Sequence, residues 1–308
     1  ATDPHAPSDE RASRARVIRK VAPYLWPKDA PAMRTRVVLS MVLLVVAKDD
    51  RRVRIAPAKA LEGAIPDLAA RQIIERAIAP AFRADPSFTS RHATEFTSID
   101  AEISWIDSHE DVARMQEELL HTAFQAVKDK HGDEIHELFG VEVEVPAIPF
   151  PRIPLAEARE IVAARGYDIP RTDGDLDPEG ERQIAAHVRE AFGHPFVFIT
   201  DYHPEIRAFY HMRDEETGLT KSYDLLYNGT EISTGAQREH RVDVLIEQAK
   251  EKGIEPEELE FYLDFFRYGV PPHGGFGMGL ARVLMLMLGL GSIRETTYLF
   301  RGPTRLLP

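Results

Sequence analysis

The stretch SIDAEISW, Ser98 to Trp105, alternates apolar and polar residues without a break: Ile99, Ala101, Ile103 and Trp105 against Ser98, Asp100, Glu102 and Ser104. A period of two belongs to a half-buried strand, so Asp100 and Glu102 share one face of it. The period then changes. Asp107 or Ser108 caps a helix, SHEDVARMQEELLHTAFQAVKDKHG, with apolar residues at helical spacing and Gly132 as its expected stop. Further helices are expected over about Leu155 to Arg165 and from Arg241 to Lys252. FVFIT (196 to 200) and FYHM (209 to 212) read as strands, and SYDLLYNGTEIST as a longer one with a turn at Asn228-Gly229. Strands and helices alternate irregularly, which predicts an α+β class with a mostly antiparallel sheet.

Composition narrows the function classes. With 308 residues, 44% of them hydrophobic, the chain can bury one large core or two modest ones. Its formal charge of −12 repels polyanions, so any nucleic-acid contact needs a local basic patch. The absence of cysteine removes disulfides, thiolate metal sites and cysteine nucleophiles together. The best apolar run, Val37 to Ala47, is about half of the roughly 20 residues a membrane span needs, and reads as a buried helix or strand. The opening ATDPHAPSDERASRAR is polar and unlike a secretory leader, so the first dozen residues are expected to be disordered and the protein cytoplasmic, without a membrane partner. Local signals become crisp from about Ala77. This predicts an atypical, partly disordered N-terminal segment over 1–72 and a folded domain over 73–308.

Three segments could carry chemistry. FRADPSFTSRHATEF, from Phe82, gathers Arg83, Arg91 and His92 around a polar loop and could hold a triphosphate, with Phe96 offering an aromatic face to a base. A solvated basic loop before a strand fits the same residues. NGTEISTGAQREHR, from Asn228, reads as a strand carrying Glu231 and Thr234, then a glycine turn and Arg238. A carboxylate beside a hydroxyl suits magnesium, and a guanidinium fork suits a carboxylate, yet an exposed hairpin with surface ion pairs is equally open. GGFGMGLARVLMLMLGL, from Gly274, runs a glycine-rich approach into an apolar helix bearing one cation, Arg282. Such glycines admit a ligand close to the backbone, or make a tight turn into a core helix. They match neither the dinucleotide fingerprint nor a P-loop. DGDLDPEGE, Asp173 to Glu181, opens like a calcium loop, but Pro178 stands where glycine is needed and Ile184 where a bidentate glutamate is needed.

Taken together, the three segments resemble the catalytic core of class II aminoacyl-tRNA synthetases, specifically aspartyl-tRNA synthetases of the archaeal type. APAFRADPSFTSRHATEFTSIDAEISW looks like the family's second motif, SYDLLYNGTEISTGAQREHR like its magnesium- and aspartate-binding strand, and PPHGGFGMGLARVLMLMLG like its third motif. FITDYHPEIRAFYHM fits between them. The likeness covers roughly Ala77 to Pro308 and implies an antiparallel sheet flanked by helices. It also implies that Arg83 contacts the α-phosphate and the aspartate carboxylate, and that Asp85, where the family usually has glutamate, lies near the adenosine. Arg91 and His92 would lie against the β- and γ-phosphates, and Phe96 would stack under adenine. Glu231 and Thr234 would take Mg2+, Thr234 standing where serine is more frequent. Arg238 would read the substrate's side-chain carboxylate with Asp100 beside it, and Gly279 to Arg282 would close the triphosphate site.

The implied activity is ATP-dependent formation of aspartyl-adenylate and its transfer to a tRNA acceptor end. Positioning and charge neutralisation carry such a reaction, which is why arginines rather than a nucleophilic triad populate the motifs. Residues 1 to about 72 resemble neither the family's anticodon-binding domain, nor its first motif, nor the glutamine-and-lysine segment that grips aspartate, so the family's homodimer is expected to be weakened. Two alternatives stay open: an aspartate-activating paralogue that uses a small acceptor such as ammonia to make asparagine, and a non-catalytic nucleotide-binding remnant.

Overall fold

The computed structural model describes residues 78–83, 89–170 and 173–305. The chain divides into Ala1–Gln72 and Ile73–Pro308, and every described residue lies in the second unit. The apolar run at 37–47, the disorder expected at the start of the chain and Asp85 all lie outside the described residues.

Seven strands, β1 (Ile78–Phe82), β2 (Glu95–Ser104), β3 (Arg152–Pro154), β4 (Phe196–Tyr202), β5 (Thr220–Tyr227), β6 (Thr230–Arg238) and β7 (His273–Gly279), form one sheet in the order β1-β2-β7-β6-β5-β4-β3. Every neighbouring pair is antiparallel except β3 with β4. Among the described residues the α-helices are α1 (His109–Phe139), α2 (Leu155–Ala164), α3 (Pro178–Phe192), α4 (Val242–Glu251), α5 (Glu260–Arg267) and α6 (Leu280–Met287).

Alternation along the strands decides which face each helix covers. Phe196, Phe198, Tyr223, Leu225, Tyr227, Phe276 and Met278 point to one face and pack against Val112, Leu120 and Phe124 of α1 and Val283 and Met287 of α6. On the other face Val197, Ile199 and Leu226 pack under α2 and α3, against Leu155, Val162, Ile184 and Val188. That second cover reaches β6 only at its start, where Glu181 of α3 accepts the Glu231 N–H at 3.2 Å, and among the described residues the apolar side chains packed under α2 and α3 include none from β7 or β2. The cleft forms there.

Four local expectations differ from the structure. The helix capped by Ser108 does not stop at Gly132. It runs to Phe139, with Ile135 buried in the core beyond the glycine, and ends at a left-handed Gly140. FYHM is a turn and not a strand: His211 makes an isolated bridge with Arg238 of β6, and the Met212 carbonyl accepts the Lys221 N–H of β5 at 2.8 Å. Trp105 leaves the alternation: its φ is 60°, and the side chain is 57% exposed instead of following Ile103 into the core. Gly235 makes no turn, because β6 continues through it to Arg238. A Cβ on Gly235 would lie 2.2 Å from the Tyr223 ring, so the glycine serves close packing between strands.

Five elements, β1, β3, α3, α5 and β7, were not read from the sequence, and two of them, α3 and β7, bear on the site. α3 has the expected start signals, an Asp177 side chain accepting the Gly180 N–H at 2.8 Å and a proline at the first position, but they sit inside the segment weighed as a calcium loop. The glycine-rich approach to α6 is strand β7, central in the sheet and hydrogen-bonded to both β2 and β6. Glycine is depleted in strands, and HGGFGMG gives no strand signal.

Candidate active site

The cleft floor is a set of side chains in register across the sheet. Asp100 on β2 pairs with Gly277 on β7, Gly277 with Thr234 on β6, and Thr234 with Asp224 on β5. One step along, Glu102, Gly275, Ala236 and Ser222 make a parallel row, and one further step pairs Ser104, His273 and Arg238. The alternate glycines of β7 keep the middle of this floor bare. A Cβ on Gly277 would stand 2.8 Å from Asp100 Oδ1, so only glycine leaves the carboxylate its place there.

Cations stand at both ends of the floor. At the end where Ser98 pairs with Gly279, Arg282 follows from the first turn of α6. Its Nη1 donates to the Glu231 carbonyl at 2.7 Å and its Nε to the Arg91 carbonyl at 3.2 Å, while Glu231 Oε2 lies 3.8 Å away. Burial lowers the Arg282 pKa from its usual value, opposed by the Glu231 charge. Arg83 is beside it, with its guanidinium carbon 5.3 Å from the centre of the Phe96 ring. His92 Nδ1 lies 2.5 Å from the Thr89 hydroxyl. At the opposite end, Arg238 Nη2 and Nε donate to Glu102 Oε1 at 2.7 and 3.1 Å, and its guanidinium lies 5.5 Å from the Tyr210 ring centre. The rows of Gly279 and His273 are six residues apart on β7, about 20 Å along a strand.

Between these ends lie the hard oxygen donors. The Thr234 hydroxyl is 2.8 Å from Asp224 Oδ1 and 3.1 Å from Glu231 Oε1, with one proton to give. Burial raises the Glu231 pKa, and the charges of Asp224 and Glu181 raise it further against the pull of Arg282. Asp224 is held from behind by Arg207, whose Nη2 is 2.8 Å from Oδ2 and whose guanidinium stacks 3.5 Å from the Tyr202 ring centre. Among the described residues no group of three or more His, Asp or Glu side chains is arranged to hold a metal by itself. Glu231 and Thr234 supply two donors. Magnesium accepts such a sparse set, because water and substrate phosphates complete its shell, and a cation would relieve the crowding of negative charge that lifts the Glu231 pKa.

The structure therefore brings Arg83, Arg91, His92, Phe96, Gly279 and Arg282 to one end of the cleft region and Arg238 to the other, with Asp100, Glu231 and Thr234 between them. Sequence reasoning missed Glu181, Asp224 and Arg207. Asp224 carried a signal, the alternation of SYDLLY, whereas Glu181 was hidden with its helix. His211, beside Arg238, is 5% exposed, and burial together with the charges of Arg238, Arg207 and Lys252 lowers its pKa to about 3.

Comparison with known proteins matches residues 76–301 to the family model of class II tRNA synthetases (D, K and N). The chain belongs to that class II family. The Aspartate--tRNA(Asp/Asn) ligase of Aeropyrum pernix is 45% identical over 233 residues, which are 75% of this chain and 52% of that protein. The Aspartate--tRNA(Asp) ligase of Pyrococcus furiosus is 44% identical over 231 residues, with the same shares covered. Among solved structures, the aspartyl-tRNA synthetase of Entamoeba histolytica superposes with a TM-score of 0.70 at 33% identity, covering 75% of this chain and 48% of that one. An asparaginyl-tRNA synthetase from Pyrococcus horikoshii, complexed with asparaginyl-adenylate, gives 0.67 at 34% identity, covering 75% and 53%. This class II chain thus spans about half the length of the curated relatives it matches. A second family model, the TPM domain, matches residues 35–89, which lie mostly outside the described residues.

Proposed function

We propose that the cleft activates L-aspartate with ATP, forming aspartyl-adenylate and pyrophosphate, and passes the aspartyl group to the 3′ end of a tRNA. One observation carries the assignment: guanidinium groups stand at both ends of a single glycine-floored face, with a carboxylate and a hydroxyl between them. Arg238 offers its fork to the aspartate side-chain carboxylate. Asp100, accessible and bonded to the Ser98 hydroxyl at 3.1 Å, lies beside the path of the α-ammonium. Arg83 draws the α-carboxylate and the α-phosphate together, which requires it to leave the Phe96 ring to adenine. Arg91, His92 and Arg282 take the β- and γ-phosphates as pyrophosphate departs, and Gly279 admits them close to the strand.

In this scheme the α-carboxylate oxygen of aspartate bonds to the α-phosphorus while the bond to the bridging oxygen breaks, and no side chain need gain or lose a proton. The rate comes from alignment and from fixed positive charge where negative charge develops. Magnesium, held by Glu231 and Thr234, would supply further charge neutralisation on the phosphates. The Arg238 fork favours a carboxylate over an amide, and so aspartate over asparagine.

The test is aspartate-dependent exchange of pyrophosphate into ATP. Exchange with tRNA charging supports the assignment. Exchange with ammonia-dependent asparagine formation moves the acceptor to a small molecule, and nucleotide binding without exchange refutes activation.

A further inference from the structure

We propose that Glu181, in the first turn of α3, is a positioning residue: one carboxylate that fixes both the Arg91 side chain and the backbone of Glu231 for the triphosphate. This rests on the nucleotide site proposed above.

Glu181 is one of four buried carboxylates among the described residues, with 7% of the residue exposed. Its Oε2 takes two donors at once, Arg91 Nη1 at 2.7 Å and the Glu231 N–H at 3.2 Å. Those donors come from two elements distant in sequence, the loop before β2 and the start of β6. They are also the elements that carry the candidate phosphate-binding and metal-binding groups. Arg282 closes the ring from the other side, bonding the carbonyls of the same two residues, Arg91 and Glu231. Arg91 and Glu231 are therefore tied twice, by an arginine through their carbonyls and by a glutamate through a side chain and an amide.

The helix that brings Glu181 here is held close. Asn228 and Gly229 turn with φ of 45° and 80°, and a Cβ on Gly229 would lie 3.0 Å from the Arg182 Cα. The hairpin tip is bare so that α3 can lie on it, one residue beyond Glu181. Arg189 of the same helix donates to Asn228 Oδ1 at 3.1 Å. Glu181, Arg91, Asp224 and Glu231 then line a cavity of about 110 Å³ that opens beside the cation cluster. A free Arg91 on a loop would lose side-chain entropy on gripping phosphate; pairing with Glu181 makes that loss before the nucleotide arrives.

The experiment measures equilibrium binding of magnesium and a non-hydrolysable ATP analogue, and separately of L-aspartate, to the whole 308-residue chain. Glu181→Ala is expected to weaken the analogue about 10- to 100-fold and L-aspartate less than about 2-fold. In an Arg91→Ala background the same substitution is expected to cost less than about 3-fold, since most of its effect passes through Arg91. Glu181→Gln keeps the shape and one acceptor, so it covers the case in which the alanine variant does not fold; the expected loss is about 3- to 10-fold, again on the nucleotide alone. Unchanged nucleotide affinity in either variant, an equal loss for aspartate, or a full loss in the Arg91→Ala background overturns the proposal. A wild-type chain that binds no nucleotide overturns the site assignment itself and this inference with it.

Discussion

Gly235 and Gly277 are near neighbours on β6 and β7, and they face opposite sides of the sheet. Alanine at each therefore separates stability from function. At Gly235 the new methyl would lie 2.2 Å from Tyr223 Cζ and 2.3 Å from its hydroxyl oxygen, inside the core that α1 covers. Carbon contacts settle at about 3.5–4.0 Å, so the Tyr223 ring must move by more than about 1 Å, in a site packed on all sides. Overpacking of this kind costs about 1–3 kcal/mol. The buried bond from Tyr223 to Gln116 Oε1, 3.0 Å long, breaks as well and adds about 1 kcal/mol. A total of about 2–4 kcal/mol lowers Tm by about 5–15 °C in a domain of this size. At Gly277 the clash is with Asp100 Oδ1, the end of an exposed side chain that can swing away, so the fold loses less than about 1 kcal/mol. The cleft floor rises, however, and Asp100 leaves its place. Thermal unfolding by calorimetry, with pyrophosphate exchange on the same samples, reads both. Gly235→Ala is expected to melt early and, below its Tm, to keep exchange; Gly277→Ala is expected to melt normally and lose it. A Gly235→Ala chain as stable as wild type, or a fully active Gly277→Ala chain, would refute the assignment of the two faces.

Three further outcomes follow from the site. Arg238→Ala should raise the aspartate KM about 30- to 1000-fold, equivalent to about 2–4 kcal/mol, and leave the nucleotide Kd near wild type; equal loss for both substrates would place Arg238 outside the aspartate pocket. Thr234→Val keeps the shape and removes the hydroxyl, so the magnesium concentration needed for half-maximal exchange should rise several-fold while saturating magnesium restores most of the rate; an unchanged magnesium titration would remove Thr234 from the metal site. His211 takes a proton less readily folded than unfolded, its pKa being lowered to about 3 from 6.5. The unfolded chain then binds more protons between those values, so stability should fall as pH drops from about 6.5 toward 3, with a slope of up to about 1.4 kcal/mol per pH unit from this residue. Urea unfolding of His211→Leu should lose that part of the slope, and a variant with the wild-type pH profile would contradict it.

Much of the site was legible because its residues lie on strands whose period is plain. Alternation along SIDAEISW put Asp100 and Glu102 on one face, and the Asn228-Gly229 turn placed Glu231 and Thr234 just beyond a hairpin. What stayed hidden has physical causes. β7 owes its place to hydrogen bonds on both sides and to the cleft's need for an empty floor, so its glycines erase the hydrophobic pattern that marks a strand. α3 begins with an aspartate cap and a proline, signals that also open metal loops, and Glu181 could not be found before the helix was. Trp105 continues the alternation in sequence but not in space, because its backbone turns to a positive φ where β2 ends against Pro272, whose carbonyl takes the Trp105 N–H at 2.7 Å.

Soaking or co-crystallising the protein with a non-hydrolysable aspartyl-adenylate analogue tests the two-ended cleft most directly. The expected complex has the aspartyl carboxylate on Arg238, the phosphate mimic at Arg83, and adenine on Phe96, all over the bare face of β7. An analogue lodged elsewhere, or one whose side-chain carboxylate leaves Arg238 still paired with Glu102 alone, would contradict the account.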